Sequence, residues 1–298
     1  PTDSETISLA SEPVAVASPA FSELPSLGRM IDEIAVKGRG LIMVMGKGGV
    51  GKTTVAAACA VGLVERGHEV HLSTTDPAAH LTMTLAGDLP RLRVSRIDPK
   101  AEATAYVAKI MEERGKNLDE EGRRLLREDL RSPCTEEVAV FHAFSRIVSE
   151  SRSAFVVLDT APTGHTLLLM DATGAYHREI MRDLDRVPSP GRVITPLMRL
   201  QDPLYTHIVL VTVPETTPVS QAAALQDDLR RANIEPFAWI INRTLLSSGT
   251  QDPLLRRRMI IEQAQVERVR RFFAKKTFII PWQAIPPVGL AALKQLTR

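Results

Sequence analysis

Gly46-Lys47-Gly48-Gly49-Val50-Gly51-Lys52-Thr53 follows an apolar run, Leu41-Ile42-Met43-Val44-Met45, and precedes a small-residue stretch of helical character, Thr54 to Leu63. Strand, glycine loop, helix is the context in which this pattern is a P-loop. Its glycines let consecutive backbone N–H groups turn inward around a phosphate, and the helix N-terminus adds a partial positive charge. Gly46, Gly48, Gly49, Val50, Gly51 and Thr54 are therefore expected to cradle ATP, with Lys52 reaching the β- and γ-phosphates and Thr53 a Mg²⁺ ion. Lys47 is an addition. The ordinary pattern leaves its position free, and here a second ammonium stands at the mouth of the cradle. The plainer alternative is a solvated surface lysine.

Outward from this loop, apolar runs alternate with helical patterns. Strands are expected at Leu41–Met45, Val70–Ser73, Leu92–Ser95, Phe155–Asp159, His207–Val213, Phe237–Asn242 and Thr277–Ile280. Most are near-continuous apolar runs, as strands buried on both faces should be. With helices between them they predict an α/β fold of the P-loop NTPase type, a mostly parallel sheet covered by helices on both faces. Residues 1–26, rich in Ser, Pro, Glu and Ala, read as a disordered tail or linker, and 27–298 as the ATPase domain. The long stretch 102–150 exceeds one crossover and reads as a helical insertion; Gly191 to Arg199 reads as a loop.

Composition narrows the function. The 298 residues carry a formal charge of +2 and only 4% aromatics, which argues against nucleic acid as a partner. No apolar run reaches the roughly 18 residues of a membrane-spanning helix, and no signal peptide pattern is seen. Two cysteines, Cys59 and Cys134, make no disulfide scaffold. The expectation is a soluble, cytoplasmic protein.

Further polar groups end the expected strands. Asp76 follows the second, at the carboxyl edge of a parallel sheet where ligands bind. There it can orient the water that attacks the γ-phosphate; equally, Asp76-Pro77 can start a helix with Asp76 as its cap. Asp159 closes the strand Phe155–Asp159 in the Walker-B manner and is expected to hold Mg²⁺ with Thr53, against the alternative of a turn residue. Asn242 is expected to read the adenine edge or simply to end its strand. Pro281-Trp282-Gln283 is a weaker candidate for lining the base.

Taken together, Lys47 to Thr53, Asp76-Pro77-Ala78-Ala79-His80 and Asp159-Thr160-Ala161-Pro162-Thr163-Gly164-His165-Thr166 resemble the arsenite-translocating ATPase family (ArsA). The likeness continues through Asp129 to Glu137, Asp171 to Glu179 and Pro214 to Pro218, and is most like the C-terminal half of a two-half pump ATPase. The resemblance implies a nucleotide-dependent dimer, with a homologous half or a second copy as mate, in which Lys47 crosses to the partner's phosphates. It implies ATP and Mg²⁺ as cofactors and As(III) or Sb(III) as activator and cargo. A membrane carrier and a metallochaperone are the further partners, and the location is cytoplasmic, peripheral at the inner membrane.

The resemblance also places Cys134, Ser132 and His165 at the metalloid site. Soft As(III) and Sb(III) prefer thiolates, and a lone Cys134 would need further thiolates from the other half. On its residues alone, Cys134 reads rather as an inert buried thiol. The alternative function within related ATPases is a targeting chaperone for tail-anchored membrane proteins. The CxxC pair that those of the eukaryotic type carry has no counterpart in this chain.

Overall fold

Seven strands form one sheet: β1 Gly40–Met45, β2 Val70–Thr74, β3 Leu92–Arg96, β4 Phe155–Asp159, β5 Thr206–Thr212, β6 Ala238–Thr244 and β7 Thr277–Pro281. They come from a computed structural model that describes residues 24–76, 79–160 and 195–298. The order is β3-β2-β4-β1-β5-β6-β7, and every pairing is parallel. Each expected strand is present within a residue or two. β1, β4 and β5 are buried along their whole length, which is why they read as unbroken apolar runs. β3, at the edge, is largely exposed and correspondingly polar.

Alternate side chains of the strands enter two cores. Ile42, Val44, Val157, Val209 and Val211 pack under α1 (Leu27–Ala35), α2 (Lys52–Glu65) and, near the chain end, Leu293. Leu41, Met43, Met45, Val156, Leu158, Ile208 and Leu210 meet the other helical layer. α2 is buried almost all round because alanines and Cys59 give it a thin cross-section. Gly62 lets α1 come close: a Cβ there would lie 2.7 Å from Ile31 Cδ1.

After a short α3 (Leu81–Leu85), the stretch 102–150 contains α4 (Pro99–Glu113), α5 (Glu120–Asp129) and α6 (Pro133–Glu150). α4 and α5 bury no residue completely. The C-terminal part of α6 is different, since Phe141, Phe144, Ile147 and Val148 join the core beneath β4. The last part of the stretch is thus the crossover helix into β4.

Two expectations change. Pro196–Gln201 forms a helix, α7, within the segment expected to be a loop. Thr195 Oγ1 accepts from Met198 N and Pro196 occupies the first turn, a capping signal that outweighs the surrounding loop composition. Ser26, assigned to the tail, bridges to Ile279, and Ile279 N donates to Pro25 O at 3.0 Å. Pro25 and Ser26 thus lie along the β7 edge. The remaining α-helices among the described residues are α8 (Thr216–Arg231), α9 (Pro253–Arg268) and α10 (Leu290–Leu296). Among the described residues, no helix is long and apolar enough to cross a membrane.

Candidate functional site

β1 lies between β4 and β5, so the chain reverses its direction of winding around it, and the carboxyl ends of β1, β2 and β4 converge there. Val44 and Thr74 both register with Asp159. Residues far apart in the chain, 44, 74 and 159, are therefore neighbours at one crevice.

The P-loop leaves β1 with Gly46 buried and Lys47, Gly48 and Gly49 exposed. Gly46 passes so close to β5 that a Cβ would lie 2.3 Å from Val211 O. Gly51 caps α2 at φ 93, and a side chain there would meet Asn242 Nδ2 at 2.4 Å. Neither position tolerates another residue. Thr54 follows, half-buried, in the first turn of α2.

Lys52 is buried, and its Nζ donates to Lys47 O at 3.1 Å. Burial lowers its pKa, opposed by the charges of Asp159 and Asp76. Thr53 Oγ1 donates to Asp159 Oδ2 at 2.8 Å, and Thr74 Oγ1 to the same oxygen at 3.2 Å. Asp159 is wholly buried, and its Oδ1 has no hydrogen-bond partner. Burial pushes its carboxyl up to about 6; the Thr53 hydroxyl, Lys52 and the Thr74 hydroxyl pull it down, while Asp76 adds to the rise. A hydroxyl and a carboxylate beside an unused buried oxygen fit a hard divalent cation, held directly or through its water.

Asp76 lies two residues beyond β2, half-buried, with its N donating to Thr74 Oγ1 at 3.0 Å. Pro77 and Ala78, where a helix was expected to start, lie outside the described residues; the next helix described begins at Leu81, with His80 at its N-cap. The charge of Asp76 acts on both Lys52 and Asp159.

A cavity of about 490 Å³ opens beside the loop, lined at one end by Lys47 to Val50 and at the other by Leu245, Leu255 and Trp282. The size and the mix of apolar walls with a few charges suit a nucleotide. Asn242 does not point freely into it. Its Nδ2 donates to Val50 O at 2.9 Å and its Oδ1 accepts from Arg243 N at 2.9 Å. The side chain expected to read adenine is engaged as a brace between β6 and the P-loop. Arg243, which lines the cavity, was not anticipated; it sits at φ 58 where the β6–β7 register shifts, a feature that leaves no mark in local sequence. Trp282, half-exposed, does line the cavity.

The expected metalloid residues divide. Ser132 caps α6, its Oγ accepting from Cys134 N at 3.3 Å, with Pro133 in the first turn. Cys134 is thus on the first turn of a helix, exposed, and not the buried thiol considered as its alternative. Cys59 is buried, and burial pushes its thiol up to about 12. His165 and the rest of the segment after Thr160 lie outside the described residues, as do the first 23. Among the described residues, no group of three or more His, Cys, Asp or Glu side chains could hold a metal ion.

Comparison with known proteins agrees with the P-loop fold. The anion-transporting ATPase family matches residues 39–200 and 197–298. An arsenical pump-driving ATPase of Escherichia coli is 56% identical over 288 residues, 94% of this chain and 49% of the relative. One of Acidiphilium multivorum is 55% identical over 271 residues, 91% of this chain and 46% of the relative. The chain spans about half the length of these relatives. A protein of Aquifex aeolicus, 29% identical over 288 residues, aligns across 96% of its own length, so a relative of single-unit length exists. By its sequence match along nearly the whole chain and by its P-loop sheet, this protein belongs to the anion-transporting ATPase family.

Proposed function

We propose that this chain is one ATP-hydrolysing unit of an arsenite and antimonite efflux motor. The observation that carries the reading is the tie between the P-loop and β4: Thr53 bonded to a buried Asp159 whose second oxygen is unused. Mg²⁺, held there through Thr53 and Asp159, would neutralise charge on the phosphates as they react. Gly46 to Thr54 bind the phosphates through backbone N–H groups, and buried Lys52 supplies the fixed cation. Asp76 orients the attacking water. Its position beside Lys52 and Asp159 supports this, because phosphoryl transfer depends on positioning and electrostatics.

Lys47, exposed at the mouth of the loop, is available to a second nucleotide-binding unit, either a homologous half or another copy. The Escherichia coli and Acidiphilium multivorum relatives are about twice as long, which favours the homologous half. Cys134 with Ser132 and His165 forms this unit's share of the As(III) or Sb(III) site. An exposed thiol is accessible to thiolates from the other unit, which would complete it. Asp159 and His165 belong to one continuous segment, so metalloid and nucleotide binding would favour the same closed form. The motor would work in the cytoplasm at the inner membrane, passing cargo to a membrane carrier after receiving it from a metallochaperone.

The test is steady-state ATP hydrolysis by wild type and Cys134→Ala, with and without antimonite, alone and with the complementary half added. Stimulation of the wild type that Cys134→Ala loses is the expected result. Hydrolysis indifferent to metalloid even with the complementary half present would rule out the pump motor.

A further inference from the structure

Across the nucleoside end of the cavity runs a chain of charges that the reading above does not use. Glu262, on α9, is almost fully buried, yet it lines the cavity. Its Oε2 accepts from Leu245 N at 2.8 Å and from Thr244 Oγ1 at 3.2 Å, and so holds the turn that leaves β6. Its Oε1 accepts from Arg258 Nε at 3.3 Å. The other side of that guanidinium, Nη2, donates to Glu215 Oε1 at 3.2 Å. Glu215 lines the same cavity from another segment, where β5 leads into α8. Arg258 therefore joins these two walls of the cavity. A planar guanidinium with donors on two edges is suited to that bridge, and a lysine is not.

We propose that Arg258, with Glu215 and Glu262, is a latch that sets the spacing of the two walls and hence the affinity for the base and ribose of the nucleotide, separately from its phosphates. The proposal rests on the nucleotide reading of this cavity. The physical reason is a division of labour. The phosphate end is built of loop backbone and Lys52, which do not depend on Arg258. The nucleoside end is walled by Val213, Pro214, Leu245 and Leu255, whose separation the latch holds. Removing Arg258 also leaves the buried Glu262 charge with no cation partner among the ion pairs it makes here, so the turn after β6 should relax. These are positioning residues: they act on the nucleoside through the walls.

The measurement is competition of MgADP and of magnesium pyrophosphate against a fluorescent ADP derivative on the full chain, for wild type, Arg258→Ala, Arg258→Lys, Glu262→Gln and Glu215→Ala. Loss of a charge-assisted bond to the buried Glu262 carboxylate predicts about tenfold weaker ADP binding for Arg258→Ala and Glu262→Gln. The exposed Glu215 pair predicts about twofold. Pyrophosphate binding should stay within about twofold of wild type throughout, and Arg258→Lys should recover only part of the loss. Arg258 is more than half exposed, so its substitution leaves the core intact. Thermal melts of Glu262→Gln identify any general unfolding. ADP affinity unchanged in Arg258→Ala, or ADP and pyrophosphate weakened alike, would overturn the latch. A wild type that binds neither ligand would overturn the nucleotide reading, and the latch with it.

Discussion

At Asp159, fold stability and the proposed Mg²⁺-binding role pull in opposite directions. Its pKa is raised from 3.8 to about 6, so ionising it costs the folded state more than the unfolded one. That cost is absent below about pH 4, grows through pH 6 and is complete above it. Asp159→Asn removes the cost and keeps oxygen acceptors for Thr53 and Thr74. The variant is expected to be as stable as wild type or more stable by about 1–2 kcal/mol at pH 8 in urea melts. Its ATP turnover is expected to fall by about 100-fold or more. A second residue reports pH in the other direction. His207 is buried at the start of β5, with Nε2 3.2 Å from Lys37 Nζ and Nδ1 unpartnered. Burial first, then Lys37, lowers its pKa to about 4. The stability it confers is complete above its unfolded value of 6.5 and is lost as pH falls from there toward 4. Urea midpoints measured from pH 7 to 4.5 should fall, and His207→Asn should flatten that fall. None of this is visible in the sequence around His207, which reads as one polar residue in an apolar strand.

At the scale of an element, one short motif at the start of α6 caps the helix and carries the thiol proposed for the metalloid. Ser132-Pro133-Cys134 is a cap and first turn, so Ser132→Ala is expected to cost about 1 kcal/mol by denaturant melts without metalloid present. Cys134→Ala, at an exposed position, should change stability by less than about 0.5 kcal/mol. The pair of melts separates capping from ligation before any metalloid is added. The same element shows why the sequence was partly legible. Capping signals Ser-Pro and Thr-Pro are local, so they mark helix starts well, and the Thr195-Pro196 signal could have predicted α7. What cannot be read locally is that only the second half of α6 is covered by the sheet.

For the whole molecule, the crevice exists because three strand ends are brought side by side, with Lys47 left facing outward. Lys47→Ala is therefore expected to leave nucleotide binding by the isolated chain within about threefold, because on the proposed reading buried Lys52 and the loop backbone hold the phosphates. Hydrolysis by the chain mixed with its complementary half should fall by at least about 100-fold, as loss of a cation acting across an interface does. Fluorescent-nucleotide titration of the single chain beside turnover of the mixture checks both.

Sequence by itself determined the strands, the P-loop and the family, because each rests on local patterns: unbroken apolar runs, glycines at fixed spacing and residues that cap helices. Tertiary structure alone decided which side chains are already engaged. Asn242 is tied into the P-loop, Asp159 keeps one oxygen unused, and Arg258 joins walls contributed by Glu215 and Glu262. These outcomes depend on strand order and on the closeness of segments up to 192 residues apart, as for Asn242 and Val50. Hydrogen bonds and desolvation act over a few ångströms in space, whatever the separation along the chain, so the use of each polar group is settled only when the fold brings its neighbours in.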